Sequence, residues 1–280
     1  MCIAKLQVGR IDYLNIWPLF YSINKDNLNE NISFVTGHPA QLNAMLARKK
    51  IHVSPSSSVE YLSRAERYRL LPDLGISAFG SVQSVLFCLP FPREKLGDYV
   101  ESGGEILLTS ASDTSRGLLQ VLWKFYWQLP SPIWKNLEPG QGLQTGKPFL
   151  EIGDHALRLN FRAPAGWHIV DLALEWKKMT SLPFVFALWI INRDLSMQQK
   201  VILHRLTEKL IQAKQTMHEN YSRLSSRYPA NDFSQEHIVS YWERMDYGLG
   251  PEHLAGLTVF GEYLTRLDII QGMPALDFFK

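Results

Sequence analysis

Three turns rich in small hydroxyls stand out in the 280-residue chain, each after an apolar run: Ser54–Tyr61 (SPSSSVEY), Phe79–Val85 (FGSVQSV) and Thr109–Leu119 (TSASDTSRGLL). A fourth polar point, Asn15, interrupts the apolar stretch Val8–Phe20 (VGRIDYLNIWPLF). Strand interiors disfavour Asn, and a serine run builds neither core nor helix interior, so both read as backbone shaped around a ligand. A turn that opens a helix exposes unpaired N–H groups and partial positive charge, and small hydroxyls add donors without bulk. Such turns hold carboxylates or phosphates, so a small anion is expected. The bland reading of any one turn is helix N-capping, and Ser56–Arg67 in particular reads as a helix capped from within the serine run.

The elements that carry these turns alternate as strand and helix. Strands are expected at Lys5–Ile11, Ile32–Thr36, around 51–55 (IHVSP), Gly75–Ser77, Ser84–Cys88, Glu105–Thr109, up to Gly153, and at Phe184–Ile191. Helices are expected around Phe20–Ile23, Ala40–Arg48, Ser56–Arg67, after Thr109, and from Val170. A long amphipathic helix is read over Gln198–Ser225, with Val201, Leu203, Leu206, Leu210 and Ile211 buried, followed by helices at Ser234–Glu243 and from Pro251. The order predicts an α/β protein of two lobes and C-terminal helices, with residues 1–88 and 191–280 in the first lobe and 89–190 in the second. Crossings fall near Phe87–Pro90 and Trp189–Asn192, the tail packs on the first lobe, and a ligand lies in the interlobe cleft.

Composition narrows the function classes. With 46% hydrophobic and 20% charged residues and a formal charge of +2, the chain is globular and its basic residues are scattered. No nucleic-acid face is expected. Cys2 and Cys88 form neither a metal pattern nor a disulfide framework. Charged Lys5 and Arg10 break any leader-like apolar segment, and no apolar run reaches membrane-spanning length, so a cytoplasmic chain without a membrane partner is expected. His38, His52, His155 and His168 lack metal-ligand spacing. Asp154 is either a structural cap or a ligand contact, and the aromatics Trp123, Phe125, Tyr126 and Trp127 read as packing. The hydrolase elbow, the P-loop and the dinucleotide glycine motif are absent from the sequence. These observations stop at a small-anion binder or enzyme.

Six ordered blocks spanning roughly residues 9–190 extend the reading: GRIDYLNIWPLF, VSPSSSVEY, LLPDLGISAFGSVQSVLF, TSASDTSRGLL, LEIGDHAL and DLALEWKKMTSLPFVFALW. Together they resemble the chorismate dehydratase family of the futalosine route to menaquinone. The resemblance implies a type II periplasmic-binding-protein-like fold and dehydration of chorismate to 3-[(1-carboxyvinyl)oxy]benzoate, with no metal and no organic cofactor. It places the family's active-site asparagine on Asn15 and its serine on Ser84. Ser56, Ser57, Thr114, Ser115 and Arg116 would hold the substrate carboxylates. Ile16 stands where many relatives have threonine, and His52 where an aspartate is common. The sister 1,4-dihydroxy-6-naphthoate synthase and a solute-binding protein are the alternatives on the same fold, and the sequence sets no oligomeric state.

Overall fold

The computed structural model describes residues 5–23, 30–229 and 232–280, so Cys2 lies outside the described residues. Two five-stranded sheets organise the chain. The first takes β1 (Leu6–Arg10), β2 (Ile32–Thr36), β3 (Val53–Ser57), β4 (Tyr68–Ala78) and β10 (Phe184–Asn192) in the order β2-β1-β3-β10-β4. The second takes β5 (Val85–Leu89), β6 (Glu105–Thr109), β7 (Ile133–Leu137), β8 (Phe149–Ile152) and β9 (His168–Asp171) in the order β7-β6-β8-β5-β9. In each sheet the strand that follows a crossing between lobes is antiparallel to its neighbours: β10 against β3 and β4, β5 against β8 and β9.

These pairings move the expected crossings. Phe87 sits opposite Leu150 inside the second sheet, so the chain leaves the first lobe at 79–84 rather than near Phe87–Pro90. Trp189 sits opposite Pro55 inside the first sheet, so the return is complete before Phe184 rather than near Trp189–Asn192. Lobe boundaries at 88 and 190 therefore cut through strands or their ends. An apolar run buries equally well in either sheet, and its partner stands tens of residues away.

The serine run also folds differently from the expectation. It is strand as far as Ser57, because β10 offers it a ladder with Leu188 opposite Ser56 and Ala187 opposite Ser57. Helix α3 then spans only Ser58–Ser63. All five residues of β3 are buried, and β1 approaches it so closely at Gly9 that a Cβ there would lie 2.7 Å from the Ser54 Cβ. His52, just before β3, accepts the Gln7 amide on Nδ1 at 2.8 Å and meets Gln199 at 3.1 Å. Its role is to join β1 to the long helix.

The helices around the sheets follow from their apolar stripes and caps. In the first lobe α1 (Trp17–Ile23) and α2 (Pro39–Ala47) connect the parallel strands. In the second lobe α5 (Asp113–Val121), α6 (Gly142–Thr145) and α7 (Gly153–Phe161) do the same, while α4 (Leu96–Glu101) follows the antiparallel β5 and α8 (Leu172–Thr180) precedes the return to β10. A π-helical turn, Leu122–Tyr126, extends α5 and seats Trp123 and Trp127 against Phe87. The predicted aromatic packing is thus found.

Helix α9 (Met197–Thr216) starts with a Ser196/Gln199 capping box and ends nine residues before the expected Ser225. The short α10 (Tyr221–Ser225) follows the break. Leu203, Leu206 and Leu210 are buried as read, Ile211 is half-buried, and Val201 is half exposed; the neighbouring Ile202 faces inward instead.

The C-terminal tail, α11 (Gln235–Trp242) and α12 (Pro251–Arg266), does not confine itself to the first lobe. Asp246 exchanges two backbone hydrogen bonds with Ser77 on β4, at 2.8 and 2.9 Å, while Asp277 and Phe279 bracket Leu70. Phe260 and Leu264 of α12 press on the second lobe at Gly117, where a Cβ would stand 3.0 Å from Leu264, and Phe260 packs edge-on against Trp176. The tail thus spans both lobes.

Candidate active site

A cleft lies between the two sheets. The loop after β1 contributes Tyr13 and Asn15, and the end of β3 contributes Ser56 and Ser57. The crossing 79–84 contributes Val82 and Ser84, the N-cap and first turn of α5 contribute Ser112 and Ser115, and the start of α7 contributes Gly153. Ile11, Ile76, Val85, Ile152, Phe186 and Met245 supply apolar walls. Local sequence explains this convergence, since each polar residue sits where a strand ends and a helix or crossing begins. Helices α3, α5 and α7 all begin at the cleft and turn their N-terminal ends towards it.

Five of the seven predicted residues line this space: Asn15, Ser56, Ser57, Ser84 and Ser115. Thr114 stands behind Ser57. Its Oγ1 lies 2.6 Å from Ser57 Oγ and accepts the Val59 amide at 3.1 Å, a buried hydroxyl joint between the lobes. Arg116 is half-buried and does not line the cleft; its amide donates to the Ser112 carbonyl within the first turn of α5. Direct carboxylate binding by Thr114 and Arg116 is therefore not supported by the geometry.

The hydrogen bonds divide these residues into occupied and available groups. Ser84 Oγ accepts the Tyr241 hydroxyl at 2.8 Å. Ser112 caps α5 by accepting the Ser115 amide at 3.2 Å, with the two hydroxyls 3.1 Å apart. By contrast, Asn15 Oδ1 and Ser56 Oγ are buried without a hydrogen-bond partner among the described residues. Buried polar atoms are normally satisfied, so this pair points to a ligand that supplies the missing partners.

The Asn15 loop is clamped from three directions. The Leu14 amide donates to Asp154 Oδ1 at 3.1 Å, Trp242 Nε1 donates to the Leu14 carbonyl at 2.8 Å, and the Tyr247 hydroxyl donates to the Asn15 carbonyl at 2.5 Å. Asp154 also accepts the Tyr228 hydroxyl at 3.2 Å. It is thus a structural tie from the second lobe to the first, and burial pushes its carboxyl above the usual carboxylate range. Gly153 beside it has φ +64°, and a Cβ there would come within 3.1 Å of the Tyr13 ring. Glycine is required at this close approach.

Among the residues that line the cleft, Tyr13 alone carries a group that titrates within the ordinary range. Burial, then the charges of Asp154 and Glu151, push its phenol up to about 12. At neutral pH it is a donor and not a base. Among the described residues, no group of three or more His, Cys, Asp or Glu is placed to hold a metal ion. No helix of the described residues is long and apolar enough to cross a membrane.

Residue-level reading overlooked Tyr13, Gly153 and the tail residues Tyr241, Trp242, Met245 and Tyr247. For Gly153 a signal existed: a glycine between a strand and a helix that has no capping side chain. The tail aromatics carry no spacing that ties them to a cleft assembled some 150 to 230 residues upstream.

Comparison with solved structures defines the class first. The chain superposes on a structural-genomics protein from Archaeoglobus fulgidus with a TM-score of 0.74 at 17% identity, covering 95% of this chain and 98% of the other. It superposes on the periplasmic aliphatic sulphonate binding protein SsuA of Escherichia coli at 0.66 and 12% identity, covering 99% and 94%. It also superposes on the desulfurization enzyme DSZB at 0.61 and 13%, covering 98% and 95%. The fold is that of the periplasmic binding proteins, which also carries an enzyme. Sequence comparison then narrows the class. The chain is 30% identical over 210 residues to a chorismate dehydratase of Campylobacter jejuni, covering 74% of each, and 27% identical over 272 residues to one of Thermus thermophilus, covering 92% and 94%. A family profile for menaquinone biosynthesis matches residues 6–266, and the chain belongs to that family.

Proposed function

We propose that the protein is a chorismate dehydratase, a carbon–oxygen hydro-lyase that removes water from chorismate to give 3-[(1-carboxyvinyl)oxy]benzoate in menaquinone biosynthesis. One observation carries the mechanistic part: among the described residues the cleft is lined by hydroxyls, one amide and apolar groups, and the titrating side chain there is a phenol held protonated. The base is then supplied by the substrate. The enolpyruvyl carboxylate reaches the hydrogen on the ring carbon that bears its own ether oxygen through a six-membered arrangement. As that C–H bond breaks, its electron pair enters the ring. The neighbouring C–O bond breaks with its pair on oxygen, the carboxylic acid returns the proton, and water leaves an aromatic product.

The protein's share is orientation and electrostatics. Asn15 and Ser84 hold the departing oxygen, Asn15 accepting from the substrate hydroxyl and Ser84 donating to the charge that develops on it. Ser56, Ser57 and Ser115, with the N-terminal ends of α5 and α7, favour the carboxylates in a cleft that no lysine or arginine among the described residues lines. Chorismate is the small-molecule partner, with no nucleic acid or membrane involved, and the cytoplasm is the assigned compartment.

The test is incubation of the purified protein with chorismate and product detection by liquid chromatography with mass detection. A new aromatic product lighter by one water is expected. With native circular dichroism, Ser84→Ala should lose about a hundredfold in kcat, the scale of a lost donor to developing charge, and Asn15→Ala about tenfold, the scale of one lost hydrogen bond. Unchanged chorismate with folded protein contradicts the reaction, and full turnover by both variants contradicts the assigned roles.

A further inference from the structure

We propose that Tyr241 is a positioning residue that fixes the Ser84 hydroxyl as a hydrogen-bond donor into the cleft. The inference rests on the dehydratase reading and deepens it. Tyr241 lies near the end of α11 with 1% of its surface exposed, and its hydroxyl donates to Ser84 Oγ at 2.8 Å. That is the phenol's one hydrogen bond found among the described residues. A serine hydroxyl offers one proton and two lone pairs, so two proton arrangements are conceivable for the pair. If Ser84 gave its proton to Tyr241, the phenol hydrogen would be buried with nothing to accept it, a state that buried donors avoid. Tyr241 therefore donates, one lone pair of Ser84 is taken, and the Ser84 proton is left for the cleft.

Two features make this arrangement persistent. Burial drives the Tyr241 phenol far above its ordinary range, so it does not ionise and reverse the bond. The Ser84 main chain is held as well, since its carbonyl accepts the Gly153 amide at 2.9 Å. Polarisation along Tyr241 O–H, Ser84 O–H and the substrate oxygen strengthens the last bond as charge accumulates there. The consequence is selectivity for a group that becomes more basic during the reaction. A departing hydroxyl does so.

The experiment is a double-mutant cycle on chorismate turnover with wild type, Tyr241→Phe, Ser84→Ala and the double variant. Phenylalanine keeps the buried ring, and melting curves confirm the fold. In the wild-type background, Tyr241→Phe should lower kcat about tenfold, the factor for one hydrogen bond of about 1.4 kcal/mol, with KM changed less than about twofold. In the Ser84→Ala background the same substitution should change nothing. Equal losses in both backgrounds would mean that Tyr241 acts on the fold, and no loss in the wild-type background would mean that Ser84 needs no such partner; either overturns the proposal. If Ser84→Ala turns over too slowly for steady-state rates, the cycle is read from single-turnover conversion of chorismate with enzyme in excess, with the same expected coupling. Folded wild-type protein that leaves chorismate unchanged overturns the dehydratase reading itself and this inference with it.

Discussion

Asp154 offers the sharpest stability test, because one half-buried carboxylate ties the second lobe both to the Asn15 loop and to the tail. Replacing it with alanine deletes the acceptor for the Leu14 amide and for the Tyr228 hydroxyl, at 3.1 and 3.2 Å. Bonds to a charged acceptor contribute about 1.5–3 kcal/mol each, and relief of the carboxylate's burial offsets a large part of that. A net loss of about 2 kcal/mol should lower Tm by about 4–8 °C for a chain of this size. The Asn15 loop loses one of its three clamps, so kcat/KM should fall about tenfold.

Asp154→Asn should behave differently. Its carbonyl still accepts from Leu14, and the Tyr228 hydroxyl can turn to accept from the amide, so at pH 7 it should stay within about 1 kcal/mol of wild type. The sign on the acid side follows from burial. The folded carboxyl binds its proton more tightly than the unfolded one at about 3.9. Stability contributed by Asp154 therefore rises as pH falls through the raised folded value, and this gain is complete below the unfolded value. Urea unfolding at pH 7 and near pH 4 should show wild type gaining on Asp154→Asn at the lower pH. If alanine melts within about 1 °C of wild type and keeps full activity, Asp154 is not a latch.

Other substitutions probe the rest of the frame. Gly153→Ala forces φ +64° on a residue with a Cβ and pushes the Tyr13 ring, so it should cost about 1–3 kcal/mol and raise KM, as read by urea unfolding and steady-state kinetics. Thr114→Val keeps the shape but leaves the Val59 amide without its acceptor, and a loss of about 1–3 kcal/mol in denaturant unfolding is expected. Arg116→Ala should leave KM within about twofold and stability within about 0.5 kcal/mol, because the side chain does not line the cleft; a tenfold rise in KM would place the guanidinium on the substrate.

The sequence makes the site's polar floor legible for a physical reason. Asn15, Ser56, Ser57, Ser84 and Ser115 stand at the ends of apolar strands, where small polar residues have no packing role, and that mismatch can be seen one segment at a time. Ile32–Thr36 and Glu105–Thr109 are equally plain, as apolar runs closed by turn residues. Strand β7 is not, because Ile133–Leu137 is an edge with an exposed face and carries lysine and asparagine. Strand β9 is only four residues long. The lobe crossings were displaced because Val85–Leu89 and Phe184–Asn192 are buried throughout or nearly so, and nothing local says which sheet receives them. Donors from the tail, Tyr241 to Ser84, Trp242 to Leu14 and Tyr247 to Asn15, depend wholly on tertiary placement.

The central claim is that this cleft dehydrates chorismate with the substrate's own carboxylate as the base. It is tested most directly by following chorismate and its enolpyruvyl-carboxamide analogue side by side with mass detection. The account predicts that chorismate loses one water while the carboxamide, which has no carboxylate to take the ring proton, stays intact. Dehydration of the carboxamide at a comparable rate would contradict the account and assign the base to the protein.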